Sequence, residues 1–258
     1  MKTVYTRIFS LILTATALLL STGCGEDAVS TDLLLTSAVE CARTGKWQSC
    51  EDNALTVLKR DPANTYALLL RSLAAERMGK NDIALATAKQ AAENAPEYFP
   101  AQYTYGRLLA ARGNNAKNAI QVLERALKLR PGNRSTLILL GQCSSRINAD
   151  NTIKYYLALP PEVQNLPEIQ TRMAMYYLDR RDRNRKNLTL ALRALGNAYK
   201  ITNDNPVIVL NLAMFIDHYM RDKKKAYAFY NRYLALTRHN PELNNIRAQV
   251  KARMSALR

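Results

Sequence analysis

Residues 65–98 read TYALLLRSLAAERMGKNDIALATAKQAAENAPEY, and residues 99–133 read FPAQYTYGRLLAARGNNAKNAIQVLERALKLRPGN. The two stretches follow one plan. Pro96 and Pro131 close them and Pro62 stands one period upstream, so the prolines are spaced by 34 and 35 residues. A period of that length belongs to stacked helix pairs rather than to one closed globule. Each copy is a helical pattern interrupted once, at Gly79 and at Gly113, where a residue free to take an unusual backbone suits the turn. Gly106 and Ala119, like Ser72 and Ala84, are small where the helices of one hairpin come closest. Each proline follows a second helix, where a residue without an N–H costs least. Since a lone hairpin cannot bury its apolar side, several must stack.

Tyr105, Gly106, Gly113, Ala119, Ala126 and Pro131 fall in the order in which this stretch resembles the tetratricopeptide repeat (TPR). The resemblance implies an all-α chain, a TPR-like right-handed α-solenoid of about six helix-turn-helix repeats with a C-terminal capping helix. In that family the first helix of each pair lines a concave groove. Carried onto this sequence, the groove is expected to hold Tyr66, Leu69, Leu73, Tyr103, Arg107, Ile138, Gln142, Arg146, Arg172, Met175, Leu210, Asn211 and Met214. That mixture of aromatic, aliphatic and Arg side chains is of the kind enriched at protein interfaces, where a peptide or partner helix can lie. The family's carboxylate clamp needs Lys and Asn where Leu69, Leu73 and Tyr103 stand, so that specialised reading fails.

Repeats one to four are expected over residues 31–159. The first carries Ala38 at the small position, Gly45 at its turn, and two cysteines, Cys41 and Cys50, facing each other across the hairpin. A disulfide there would contribute roughly 2.5 to 3 kcal/mol for so short a loop. Two small core residues explain the pair as well, and both readings stand; Cys143 reads as a small buried residue. Pro160 and Pro161 cut short the second helix of the fourth repeat, Asn151 to Leu159, and the proline-rich segment PPEVQNLP, residues 160–167, is expected to be a seam in the solenoid. Repeats five and six then occupy residues 168–240. The last segment, 241–258, is the expected cap, with Leu243, Ile246, Val250 and Met254 on one side.

The chain begins as an exported protein does. Lys2 and Arg7 precede a thirteen-residue apolar run, Ile8 to Leu20, which is shorter than the ~20 residues that span a bilayer. Residues 1–23 therefore read as a signal peptide. Ser21 to Cys24, STGC, resembles the lipobox of bacterial lipoproteins, which implies lipidation of Cys24 and a membrane anchor, with residues 24–30 as a polar tether. Gly25 after the cysteine implies the outer membrane, facing the periplasm. Ordinary signal-peptidase cleavage and simple secretion are the alternative. The general plan is similar to that of the type IV pilus pilotins, lipoproteins that help a secretin assemble.

Charge is unevenly distributed. Cys24 to Asn133 holds 14 basic and 12 acidic residues, whereas Arg134 onward holds 21 and 9. The densest clusters, Arg180, Arg181, Arg183, Arg185 and Lys186, and then Lys223, Lys224 and Lys225, both fall on turns between paired helices, along one edge of a solenoid. A basic edge suits an anionic envelope surface, although a plain solvated face fits the composition too. Nucleic acid has the right charge, but no recognition motif accompanies it. With His218 and His239 the only histidines, and no nucleophile elbow, phosphate loop or metal-ligand spacing, no catalytic residue, cofactor or metal site is expected. The functional expectation is a non-enzymatic scaffold or adaptor lipoprotein that binds protein partners of a cell-envelope complex. A pilotin-like secretin assembly factor, and an accessory subunit or regulator of a cell-wall or polysaccharide enzyme, are the alternatives.

Overall fold

A computed structural model describes residues 29–184 and 186–257. The expectations for residues 1–28, including the signal peptide and Cys24, lie outside the described residues, as does Arg185. The described chain is helical throughout and divides into two compact units, the first ending at Cys143 and the second starting at Ser144.

In the first unit the helices are α1 (Thr31–Arg43), α2 (Trp47–Arg60), α3 (Thr65–Arg77), α4 (Asn81–Asn94), α5 (Phe99–Arg112) and α6 (Ala116–Leu129). Helix α7 (Arg134–Arg146) crosses the division. Polar caps recur at the starts of first helices. The Ser30 hydroxyl accepts from the Leu33 N–H, and the Asn64 and Asn133 side chains accept from the Ala67 and Thr136 N–H groups. Gly45, Gly79 and Gly113 share φ near +77°, the left-handed turn that any Cβ would strain. Alanine dominates the contacts that follow: Ala38 and Ala74 pack with Cys50, and Ala75, Ala84 and Ala88 pack with Leu108. From α1 to α6 each helix packs on the next, and the first helices α1, α3 and α5 also touch one another in turn.

The second unit contains α8 (Thr152–Leu157), α9 (Pro161–Gln164), α10 (Pro167–Asp179), α11 (Lys186–Ile201), α12 (Pro206–Phe215), a π-helical turn (Ile216–Met220), α13 (Lys223–Leu236), a 3₁₀ turn (Pro241–Leu243) and α14 (Asn244–Leu257). No helix runs through the proline segment: Pro161 opens the single turn α9 and Pro167 starts α10, both at positions where a missing N–H is harmless. The chain also divides earlier than this segment, because the short α8 packs with α10, and Tyr155 and Tyr156 are buried. In the cap, Val250, Met254 and Leu257 are buried against Val209, Ala213, Ile216, Tyr230 and Tyr233, whereas Ile246, expected on that side, is exposed. Its turn lies before the contact begins.

Two turns of this half lack glycine. Asn148 and Arg221 take left-handed φ of 49° and 55° instead. Asn tolerates that region; Arg pays a steric penalty there of order 1 kcal/mol.

Candidate functional site

The expected groove residues do not form one uniform surface. On α3, Tyr66 is exposed and meets the Tyr98 ring edge-on at 5.7 Å. Leu69 instead belongs to the core that joins repeats, with Leu68, Ala91, Ala92 and Ala101. Leu73 is half-buried. On α5, Tyr103 stacks on Phe99 at 5.6 Å. Arg107 forms a two-pronged pair with Glu76 on α3, both bonds 2.6 Å long, and this holds the Glu76 carboxyl below its ordinary range. The charge of Arg107 is therefore largely used within the fold. Gln142 and Asn211 are half-buried and Arg146 is exposed.

Aligning the hairpins at their small positions (Ser72, Gly106, Gly141, Ala174, Ala213) makes the pattern clear. The next residue in each is Leu73, Arg107, Gln142, Met175 and Met214. The first three are half-buried and the two methionines are exposed. Beside Met175 and the exposed Arg172 lies a cleft of about 170 Å³ lined also by Ser145, Asn148, Thr152, Thr171, Tyr176, Asp179 and Arg180. Arg172 and Met175 are thus brought together as expected. Asn148, Thr152 and Tyr176 are additions, placed there by the left-handed turn at Asn148 and by the Tyr176 hydroxyl donating to the Asp150 carbonyl at 2.8 Å.

Arg180 is a correction. Expected on the basic edge, it is 5% exposed, lies over the Tyr176 ring at 4.1 Å, and donates to the Asp150 carboxylate and the Asn148 carbonyl. It clamps the turn after α7 against α10. Arg183 reaches the same carboxylate at 2.5 Å, and the two guanidiniums, Arg183 foremost, hold the Asp150 carboxyl below its ordinary range. Arg181, Lys186, Lys223, Lys224 and Lys225 are exposed, as an edge requires. The available signal was an opposite charge a few residues short of one repeat away: Arg107 to Glu76 and Arg180 to Asp150 are 31 and 30 residues apart.

Cys41, Cys50 and Cys143 are free thiols in this structure. Cys41 and Cys50 pack in one cluster, so the small-core reading describes them as they stand. Burial pushes the Cys50 thiol up to about 11, which keeps it protonated and a poor nucleophile at neutral pH. Among the described residues no cluster of His, Cys, Asp and Glu could hold a metal ion, and no helix is long and apolar enough to cross a membrane.

Consecutive helical hairpins, most of them with a left-handed residue at the turn and a small residue buried on the first helix, make this a TPR-type fold. Solved structures agree. PilW, titled a widely conserved type IV pilus biogenesis factor, aligns with a TM-score of 0.63 at 18% identity, over 85% of this chain and 99% of its own. PilF of Pseudomonas aeruginosa aligns at 0.61 and 16%, over 85% and 97%. YrrB, titled a TPR protein with an unusual peptide-binding site, aligns at 0.59 and 15%, over 72% and 93%. At these identities the likeness is one of fold. No protein-family model matches the sequence, and neither does any curated protein.

Proposed function

We propose that this protein is a non-enzymatic scaffold that holds a segment of a protein partner along the first helices of its hairpins, with the second unit as the main contact. The observation that carries this is the pair Met175 and Met214. They occupy equivalent places on α10 and α12 and remain exposed where the corresponding residues of earlier hairpins are half-buried. Unbranched, polarizable side chains of this kind adapt to an apolar partner, and Arg172 beside Met175 adds a donor for its carboxylates or carbonyls. The peptide-binding site named for YrrB supports a partner of that class.

The setting belongs to the same proposal: export directed by residues 1–23, an anchor at Cys24, and the outer membrane facing the periplasm, within a cell-envelope complex. A second reading, assembly of a secretin in the manner of a pilotin, is favoured by the near-complete coverage of PilW and PilF. Met175→Glu combined with Met214→Glu puts two charges into the contact. Recovery of the crosslinked partner from membranes is expected to fall at least about tenfold, since truncated anchor residues each cost on the order of 1 to 2 kcal/mol. Arg193→Glu, on an exposed part of α11, leaves it unchanged. Full recovery with the double variant would remove the proposal. Secretin multimer formation with purified protein separates the two readings.

A further inference from the structure

The turn edge of the second unit combines two features that a solvated basic face lacks. Tyr219 and Met220, 40% and 44% exposed, stand at the tip of the α12–α13 hairpin, carried there by the π-helical turn and the left-handed Arg221 that ends it. Phe215 supports the tyrosine ring from beneath at 5.3 Å. From the neighbouring hairpin Arg181 reaches over the same ring at 5.8 Å, so the two basic turns meet around it. Residues 221–225 hold four basic residues against one acidic; in the neighbouring turn Arg181 and Lys186 are exposed, Arg181 with Asp182 at 3.7 Å, while Arg180 and Arg183 are taken up by Asp150. The acid of the π-helical turn, Asp217, is buried and engaged by Arg253, so it does not offset the exposed cations.

An exposed tyrosine and methionine ringed by long cationic side chains match a membrane–water boundary. The ring body and thioether favour the acyl boundary, the phenol stays with the headgroups, and Lys and Arg stems reach back to phosphates. We propose that this edge, built on Tyr219 and Met220 and surrounded by Arg181, Arg221, Lys223 and Lys224, docks on a lipid leaflet with anionic headgroups. The contact is separate from the first-helix surface and stands or falls without it.

The test uses the full chain with Trp47→Phe, which leaves a new indole from Tyr219→Trp as the only one, and vesicles carrying brominated phosphatidylcholine with or without about a third phosphatidylglycerol. The apolar run Ile8 to Leu20, with Lys2 and Arg7 before it, draws the chain to vesicles by itself, so what is read is quenching at residue 219 and its change when the edge alone is altered. The expected result is quenching of the residue 219 fluorescence on anionic vesicles that is weak on neutral ones and declines with salt. Lys223→Glu with Lys224→Glu lowers the apparent binding on the order of 100-fold. These two residues open α13, where negative charge favours the helix, so the variant keeps its fold. No quenching, equal quenching on both vesicle types, or binding to heparin without lipid quenching would each overturn the proposal, the last in favour of a soluble polyanion.

Discussion

Replacing Asp217 with alanine is expected to loosen the end of the second unit by about 2 to 3 kcal/mol. The carboxylate is 5% exposed. It accepts from Arg253 at 2.7 and 2.8 Å and from the Tyr230 hydroxyl at 3.0 Å, and so ties α14 to α13 and to the π-helical turn. Removing it leaves the Tyr230 hydroxyl buried without that acceptor, although the half-exposed Arg253 can rehydrate, which keeps the cost at the low end for a broken ion pair. The Arg253 guanidinium, helped by Tyr230, holds the Asp217 carboxyl below the usual range. A carboxyl with a lowered folded value stabilises fully above its unfolded value, about 3.9, and stops doing so as pH falls through the folded value. The gap between native protein and Asp217→Ala should therefore be full at pH 7 and close as pH drops below about 4. Hydrogen exchange of α14 at the two pH values reads this locally, which matters because repeat arrays unfold in parts. Equal protection of α14 in both proteins at pH 7 would refute the role assigned to Asp217.

The second large effect is expected at Gly106, the small position of the α5–α6 hairpin. A Cβ there would stand 2.8 Å from both Cγ and Cδ2 of Leu123, closer than packed carbons approach. Because the branching carbon of Leu123 is itself in the way, turning the end of the side chain does not relieve the contact and the helices must move apart. Gly106→Val is expected to cost about 2 to 3 kcal/mol, measured by urea denaturation. Leu123→Ala alone leaves a hole and costs about 2 to 5 kcal/mol. Combined, the two substitutions should cost well under their sum, since the new methyl groups fill the space that was emptied. Additive costs would mean that the helices are not held at this distance by these two residues.

The repeat plan was legible because it rests on backbone chemistry. Gly45, Gly79 and Gly113 mark turns whose φ is positive, and Ser72, Gly106, Ala84 and Ala119 are small residues buried in the hairpins. Departures came where another residue took a glycine's place. Asn148 and Arg221 enter the same region of backbone space with no sequence signal beyond the loss of glycine. The short α8 was legible as well, since Pro160 and Pro161 stop that helix, and Tyr155 and Tyr156 are buried in spite of its length.

The binding surfaces were less legible than the fold, and the charges show why. Arg180 and Arg183 look alike in sequence, yet Asp150, one repeat earlier, draws Arg180 into the interior while Arg183 remains exposed at its other side. Leu69 and Met175 both sit on first helices. Leu69 is consumed by the packing of one repeat on the next, and only the three-dimensional neighbours of each decide which is left for a partner. Glu76 similarly withdraws Arg107 from the surface.

The most direct test of a protein-binding scaffold is to ask which side of the hairpins a partner touches. A photocrosslinking amino acid is placed singly at Met175 and Met214 on first helices, and at the exposed Arg193 and Ala228 on second helices, in cells that make the chain. The expected result is an adduct to the same protein from positions 175 and 214 and none from 193 or 228. Adducts from the second helices alone, or from none of the four, would contradict it.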